Sequence, residues 1–354
     1  MGQNVLITGA AGYIGGSVLA EFVSRTSGSI PTAKINAAVR SEDQVQSLSG
    51  LGVNVIQLDL SEEADVLETI LRNDIDIVLL ASDAKALTGS QSSVTTLFSE
   101  EGGWIYGEVR DTDSIFEKEK ELGESHPVRQ TNIVVVEEAS RQGVASYNLA
   151  IPTVSDGRGS GECRKLSVSI PQYVRTSIKH KTVYRFDKDG VSSSATLVGG
   201  KSQCTNTNQS PPAAHISDLT ALYALLVEKI IQQEPFPSGK NGYYFAMAHR
   251  APWWDVMDGI AKSLHARGLV DEDRVQVWQS DKMAAEYLGF PELYVRAMGT
   301  STGELVPVNA NRLGWEPKWD KERFLESIDD EVQAVLELDT VKATVFDALK
   351  TPSA

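Results

Sequence analysis

The stretch Asn4-Val-Leu-Ile-Thr8 runs straight into Gly9-Ala-Ala-Gly12-Tyr-Ile-Gly15. An apolar, β-favouring run followed by glycines at G-x-x-G-x-x-G spacing reads as a strand, a tight turn and a helix start. The glycines have separable jobs. One permits the turn, one lets backbone N–H groups approach a pyrophosphate, and one lets the helix pack closely on the strand. Phosphates then sit on the helix N-terminus, where unpaired N–H groups and the helix dipole favour an anion. Glycine-rich turns also serve as plain connectors, so context decides between the readings. Here a strand precedes the turn, and a helix with Ile14, Val18, Leu19, Phe22 and Val23 on its apolar side follows it. Dinucleotide binding through Gly9, Gly12, Tyr13, Ile14 and Gly15 is the expectation.

The rhythm continues downstream. Lys34–Val39 reads as a second strand, followed by a helical stretch from Ser41; Val53–Leu58 reads as a third, followed by a helix over Ala64–Arg72; Asp76–Leu80 reads as a fourth. A helix over Thr131–Arg141 precedes a strand over Ser146–Ile151. Such β-α repetition predicts a doubly wound parallel sheet with helices on both faces, and a smaller C-terminal part. The expected division is 1–152 for the dinucleotide-binding domain and 153–354 for the substrate part, with 213–232 returning to the first. Two stretches break the pattern. Leu80 to Gly102 is too short for a helix and another strand, since a βαβ unit needs roughly 30 residues or more. Residues 191–212, rich in Ser, Thr, Asn, Gln and Gly, read as a disordered insertion, either a surface loop or foreign sequence.

Composition narrows the classes. With 354 residues, 41% of them hydrophobic, the chain can bury a large core. A net charge of −15 works against a nucleic-acid or anionic-membrane partner. No apolar run reaches membrane-spanning length, and the N-terminus is already the first strand, so a cytoplasmic protein with no signal peptide is expected. The two cysteines, Cys163 and Cys204, stand far apart and suggest neither a disulfide framework nor a zinc site. The five histidines show no metal spacing, and no G-x-S-x-G elbow supports a hydrolase.

Five motifs in order resemble the extended or atypical short-chain dehydrogenase/reductases, the NAD(P)-dependent epimerase/dehydratase-like group with a Rossmann fold. They are Thr8–Gly15, Leu58-Asp59-Leu60, Ile151-Pro-Thr-Val-Ser-Asp-Gly157, His215-Ile-Ser-Asp-Leu219 and Arg312-Leu-Gly-Trp-Glu-Pro317, and they cover most of the chain. The resemblance implies that Asp59 accepts from an adenine amino group with Leu60 against the ring. Asp59 also suits a helix N-cap partner. It implies that Ala81 and Ser82 run beneath the nicotinamide ribose, and that Pro152 and Thr153 flank the nicotinamide. Where NAD-specific members keep an acid, this chain has Arg40. A guanidinium suits a 2′-phosphate, which favours NADP over NAD, although Glu42 and Asp43 are alternative partners. The implied reaction is hydride exchange with a carbonyl or alcohol of a small metabolite or sugar derivative.

The chemical half of the family pattern is missing from its place. Members carry Tyr-x-x-x-Lys on a helix with a Ser or Thr nearby, the lysine lowering the phenol's pKa. The sole match, Tyr184–Lys188, lies beyond the sixth predicted strand. Over 111–141 the candidate registers, Phe116 to Lys120 and Val128 to Asn132, hold no phenol. Tyr106, with Arg110 four residues on, is the nearest stand-in, and Ser93, with Ser92 and Thr95 beside it, the candidate hydroxyl. Three readings stay open: an NADP(H)-binding oxidoreductase with a small-molecule substrate, a non-catalytic NADP-binding redox sensor like the NmrA-type relatives, and an incomplete, unstable member. The resemblance also implies a homodimer through two helices flanking the fifth strand, the first of which has no room here.

Overall fold

Val5, Leu6 and Ile7 are all buried, so the first strand has protein on both faces, as a parallel strand does. In the computed structural model, which describes residues 3–81, 94–100, 102–123, 127–152, 154–187, 211–296 and 303–338, β1 (Asn4–Ile7) lies between β2 (Lys34–Val39) and β4 (Ile77–Leu79). With β3 (Asn54–Gln57) outside β2, the four strands form a parallel sheet in the order β3-β2-β1-β4. The registers pair Ile7 with Ala37 and with Leu79. Strand order reverses between β1 and β4, the switch point where open α/β sheets bind ligands.

Alternation along β1 assigns the helices to opposite faces. Val5 and Ile7 pack with Val18, Leu19 and Phe22 of α1 (Tyr13–Ser24), and with Leu219, Leu222 and Leu226 of α7 (Ile216–Ile231). Leu6, with Ala38 and Leu58, faces the other way and meets Val66 of α3 (Glu63–Arg72). Between β2 and β3 runs α2 (Glu42–Leu48), started by a capping box between Ser41 and Gln44. This is the doubly wound α/β architecture.

Beyond Ala81 the rhythm changes, and residues 82–93 lie outside the described ones. Val94 re-enters as an isolated parallel bridge to Ile151, and Thr95 N–H donates to Ile151 O at 3.0 Å. Then follow β5 (Val109–Arg110), α4 (Ile115–Leu122), α5 (Pro127–Gln142), β6 (Asn148–Ala150) and β7 (Val154–Asp156). Helix α5 starts four residues before Thr131, because Pro127 at its first position gives up only an N–H that has no helical partner anyway.

A second core, around Tyr173, Trp253, Met257, Ile260, Phe324 and Val332, joins α6 (Ser169–His180), α8 (Trp253–Ala266), α12 (Lys321–Glu326) and α13 (Ile328–Leu338). The strands β8 (Val183–Arg185), β9 (Pro212–His215), β10 (Tyr243–Phe245), β11 (His249–Arg250), β12 (Val275–Val277) and β13 (Leu305–Val306) form short pairings, and helices α9 (Asp281–Leu288), α10 (Glu292–Val295) and α11 (Val308–Arg312) lie among them in the chain. Trp253 is buried in this core. The C-terminal helical stretch is divided at Ser327, between α12 and α13, and the residues after Leu338 lie outside the described ones. The insertion read at 191–212 falls there too, apart from Pro211 and Pro212.

Asp218 joins α7 to the segment after α11. In the first turn of α7, where the helix dipole favours an acid, its carboxylate accepts from Lys318 N at 3.0 Å and Trp319 N at 2.9 Å. Its carbonyl accepts from Trp315 Nε1 at 2.8 Å. Truncation strands two backbone donors in a buried place, so Asp218→Ala is expected to cost roughly 2–4 kcal/mol in a urea melt, against under about 1 for an exposed control such as Asp43→Ala.

Candidate dinucleotide-binding site

Gly9 follows β1 with φ +63°, a conformation that favours glycine. A Cβ on Gly15 would stand 2.4 Å from the Gly9 carbonyl oxygen, and one on Gly12 would stand 3.0 Å from it. The close approach of helix to strand therefore requires bare backbone, above all at Gly15. Gly12 N–H donates to Gly9 O at 2.7 Å, closing the turn, and Gly16 N–H donates to Gly12 O at 2.9 Å, opening the helix. The amides of Tyr13, Ile14 and Gly15 precede that first helical bond, and Gly12 offers them no side-chain cap. Three N–H groups at a helix N-terminus make an anion site.

The turn is held to its surroundings. Thr8, buried, donates through both its N–H and its hydroxyl to Leu79 O, at 2.9 and 3.2 Å, and its hydroxyl accepts from Ala81 N at 3.3 Å. Ala81 is thereby fixed beside the glycines, at the C-terminal end of β4. Ala10 N–H donates to Ala38 O at 3.3 Å, tying the turn to β2.

The Tyr13 side chain points away from any phosphate. It is buried, and its hydroxyl lies 2.9 Å from Asp156 O and 2.8 Å from Gly157 O. What it leaves at the start of α1 is a backbone N–H without a helical partner. Ile14 is partly buried against the α1 side of the core.

Arg40 and Asp59 stand exposed at the ends of β2 and β3. The Arg40 N–H donates to Gln44 Oε1 at 2.9 Å, as part of the start of α2, while its guanidinium makes no ion pair with Glu42 or Asp43. Asp59 Oδ1 accepts from Ser61 N at 2.9 Å and Ser61 Oγ at 2.7 Å. These two bonds, with a smaller contribution from the Arg40 charge, hold its carboxyl below the usual value. Both bonds fall on one oxygen, and α3 takes Glu62 rather than Asp59 as its N-cap. Leu60 packs beside Leu58 and Val66. Pro152 is buried directly after Ile151, the bridge partner of Val94. Ser82, Thr153 and Ser93 lie outside the described residues.

The positions where the resemblance expects catalytic groups are taken up by other contacts. Phe116 is buried in the core around Trp104 and Phe245, and Lys120 pairs with Glu137 at 2.7 Å. On α5, Arg129 is fully buried and donates to Gly102 O at 2.8 Å, while Asn132 donates to Glu119 at 2.8 Å. Glu119 also accepts from Tyr243 at 2.6 Å, and burial pushes its carboxyl up to about 7. Tyr106 donates to Glu121 at 2.7 Å and packs edge-on against Trp104. That hydrogen bond pushes the phenol up, opposite to the shift a proton-donating tyrosine needs. Tyr184 sits on strand β8, stacked on Trp278 at 4.4 Å, so the i to i+4 spacing of its motif is not helical. Thr95 is buried near Ile151, its hydroxyl without a hydrogen-bond partner among the described residues. His215 caps α7 by accepting from Ser217 N and stacks on Trp319, so it is structural. Among the described residues no group of His, Cys, Asp and Glu is arranged to hold a metal, and no helix is long and apolar enough to cross a membrane.

A parallel sheet in the order β3-β2-β1-β4, with a capless glycine turn at its switch point, defines a Rossmann-type α/β protein. Residues 5–99 match the sequence model of the NAD dependent epimerase/dehydratase family. The fold as a whole is similar to that of dTDP-glucose 4,6-dehydratase from Bacillus anthracis str. Ames, solved in complex with NAD: TM-score 0.60 and 12% identity over 98% of this chain and 100% of that one. It is also similar to UDP-glucose 4-epimerase from Thermus thermophilus, again with NAD, at TM-score 0.54 and 14% identity over 95% and 100%. A monomeric L-threonine 3-dehydrogenase from a metagenome gives 0.55 and 12% over 94% and 99%. At such identities the shared property is the fold. No curated protein matches the sequence.

Substitution at Gly15 tests the geometry directly. A methyl group 2.4 Å from the Gly9 oxygen forces α1 off β1, so Gly15→Ala is expected to lower Tm by several degrees. Ala11→Gly, in the same turn, is the control expected to change it little.

Proposed function

We propose that the chain binds a nicotinamide dinucleotide at the Gly9–Gly15 turn, with NADP(H) preferred over NAD(H), and acts as an oxidoreductase on a small carbonyl or alcohol, such as a sugar derivative. The observation that carries the reading is the turn itself: bare backbone at Gly12 and Gly15, and three amides free of helical partners. The residues fit the group. The backbone of Tyr13, Ile14 and Gly15 would hold the pyrophosphate, and Asp59 Oδ2, which accepts no hydrogen bond among the described residues, would take the adenine amino group. Ala81 and Pro152 would line the nicotinamide end, joined by Ser82 and Thr153. The two solved structures named above with NAD support the cofactor class, and the charge at Arg40 supports the phosphorylated form. When bound, the nicotinamide supplies or accepts hydride.

The placement of Tyr106 and of both searched registers favours a second reading: a cofactor-binding sensor without turnover. In both readings the ligands are small molecules, the acidic chain has no nucleic-acid partner, and its compartment is the cytoplasm. A homodimer remains part of the proposal only through the family resemblance.

Fluorescence titration decides the shared premise. NADPH is expected to bind at least about tenfold more tightly than NADH, and Arg40→Ala to erase the difference by weakening NADPH alone. Failure of both dinucleotides to bind at millimolar concentration sinks both readings. NADPH consumption with a panel of aldehydes and ketones separates enzyme from sensor.

A further inference from the structure

A buried acidic pair sits behind the glycine turn, outside everything the dinucleotide reading uses. Asp156, the last residue of β7, is fully buried, and neither carboxyl oxygen has a hydrogen-bond partner among the described residues. Glu331 of the C-terminal helix α13 is 6% exposed, and its Oε1 accepts from Gly157 N–H at 2.5 Å. The Tyr13 hydroxyl enters the same corner through the Asp156 and Gly157 carbonyls. One short turn therefore connects α13 to a residue of the glycine turn. Gly157 admits no side chain: its φ is +89°, and a Cβ there would clash with the His215 ring.

Among the described residues, the charges bearing on the pair are negative. Glu331 feels Asp330 of its own helix; Asp156 feels Glu331 and, from α7, Asp218; Tyr13 of α1 feels both carboxyls. Nearby cations are engaged elsewhere. Arg158, after β7, pairs with Glu337 at 3.5 Å, and Arg267, after α8, pairs with Asp329 at 2.6 Å. Ser263 of α8 also bonds Asp329, and Arg323 of α12 acts on His215. Lys179 of α6 and Lys262 and His265 of α8 make no ion pair with either carboxyl among the described residues. An uncompensated buried charge is costly, and two adjacent like charges are costlier. Burial accordingly pushes Glu331 up to about 7 and Asp156 well above the usual range.

We propose that Asp156 and Glu331 form a proton-operated latch: protonated, the pair holds α13 against the Gly157 turn and Tyr13; ionised, it sets like charges in a closed corner and releases the helix. The sign follows from linkage. A carboxyl whose folded-state pKa is raised contributes stability that is complete below its unfolded value, about 4.3 for Glu, and that is lost as pH rises through the folded value, about 7 for Glu331. The helix is therefore expected to loosen between mildly acidic and mildly basic pH.

Hydrogen–deuterium exchange on the full chain, without cofactor and corrected for intrinsic rates, reads this locally. From about pH 6 to about pH 8, protection over 328–338 is expected to fall about tenfold or more, while β1 stays constant. Glu331→Gln keeps an acceptor for Gly157 N–H but cannot ionise, and should hold protection within about twofold across that range. Asp156→Asn should weaken the fall and serves if the first variant does not fold. Glu119→Gln removes a carboxyl also raised to about 7 but placed on α4, and should leave the fall over 328–338 intact. A flat profile in the wild type, or the wild-type fall persisting in the Glu331 or Asp156 variant, overturns the latch.

Discussion

The contact on which the rest depends is the approach of α1 to β1 at Gly15. A side chain is excluded there by the Gly9 carbonyl and, at 3.0 Å, by the Thr8 carbonyl as well. Because the helix starts so close to the strand, Val18, Leu19 and Phe22 reach the same apolar layer as Val5 and Ile7, and α7 closes over them. The same closeness leaves the first amides of α1 facing the switch point with no side-chain cap. Packing and anion affinity thus share one geometric cause. A substitution that relaxes the packing must also displace the amides, and a function that needs the amides must keep the glycines.

The N-terminal parallel sheet was legible because its signals are local. Lys34–Val39 coincides with β2 end to end, and Ser41 caps α2 through a partner three residues away. Parallel strands buried on both faces are short apolar runs, and the helices between them carry their own periodicity. What could not be read is the set of contacts that spans the chain. Tyr13 meets Asp156 across 143 positions, and Glu331 meets Gly157 across 174. The buried phenol of Tyr13 shows that the intervening positions of such a turn also serve the core.

The catalytic positions teach the complementary lesson. A search for a phenol and a lysine on one helical face assumes that this face looks into the cleft. Here Arg129 and Asn132 of α5 turn to Gly102 and Glu119, and Tyr243 completes a buried polar cluster. Polar residues at those spacings therefore stabilise the join between α4, α5 and β10. Nothing in their spacing distinguishes a buried network from a site, since both need polar groups at helical intervals; only the identity of the partners does.

Asp59 invited two readings: a helix N-cap partner, a place that α3 gives to Glu62, and, by the resemblance, a ligand for the adenine amino group. Its Oδ1 takes both Ser61 donors, a local turn that fixes the rotamer and keeps the carboxyl ionised, while Oδ2 stays uncommitted among the described residues. Turn formation is thus what would prepare the ligand. Arg40 contributes to that ionisation, yet it is exposed and outside ion-pair distance, so water and salt screen the interaction. A 2′-phosphate carries more charge than one carboxylate and accepts the guanidinium's forked donors in a way the more distant Asp59 does not. Were a 2′-phosphate bound there, the competition would favour the phosphate, and Asp59 would lose little, because its two Ser61 bonds are the larger causes of its lowered pKa.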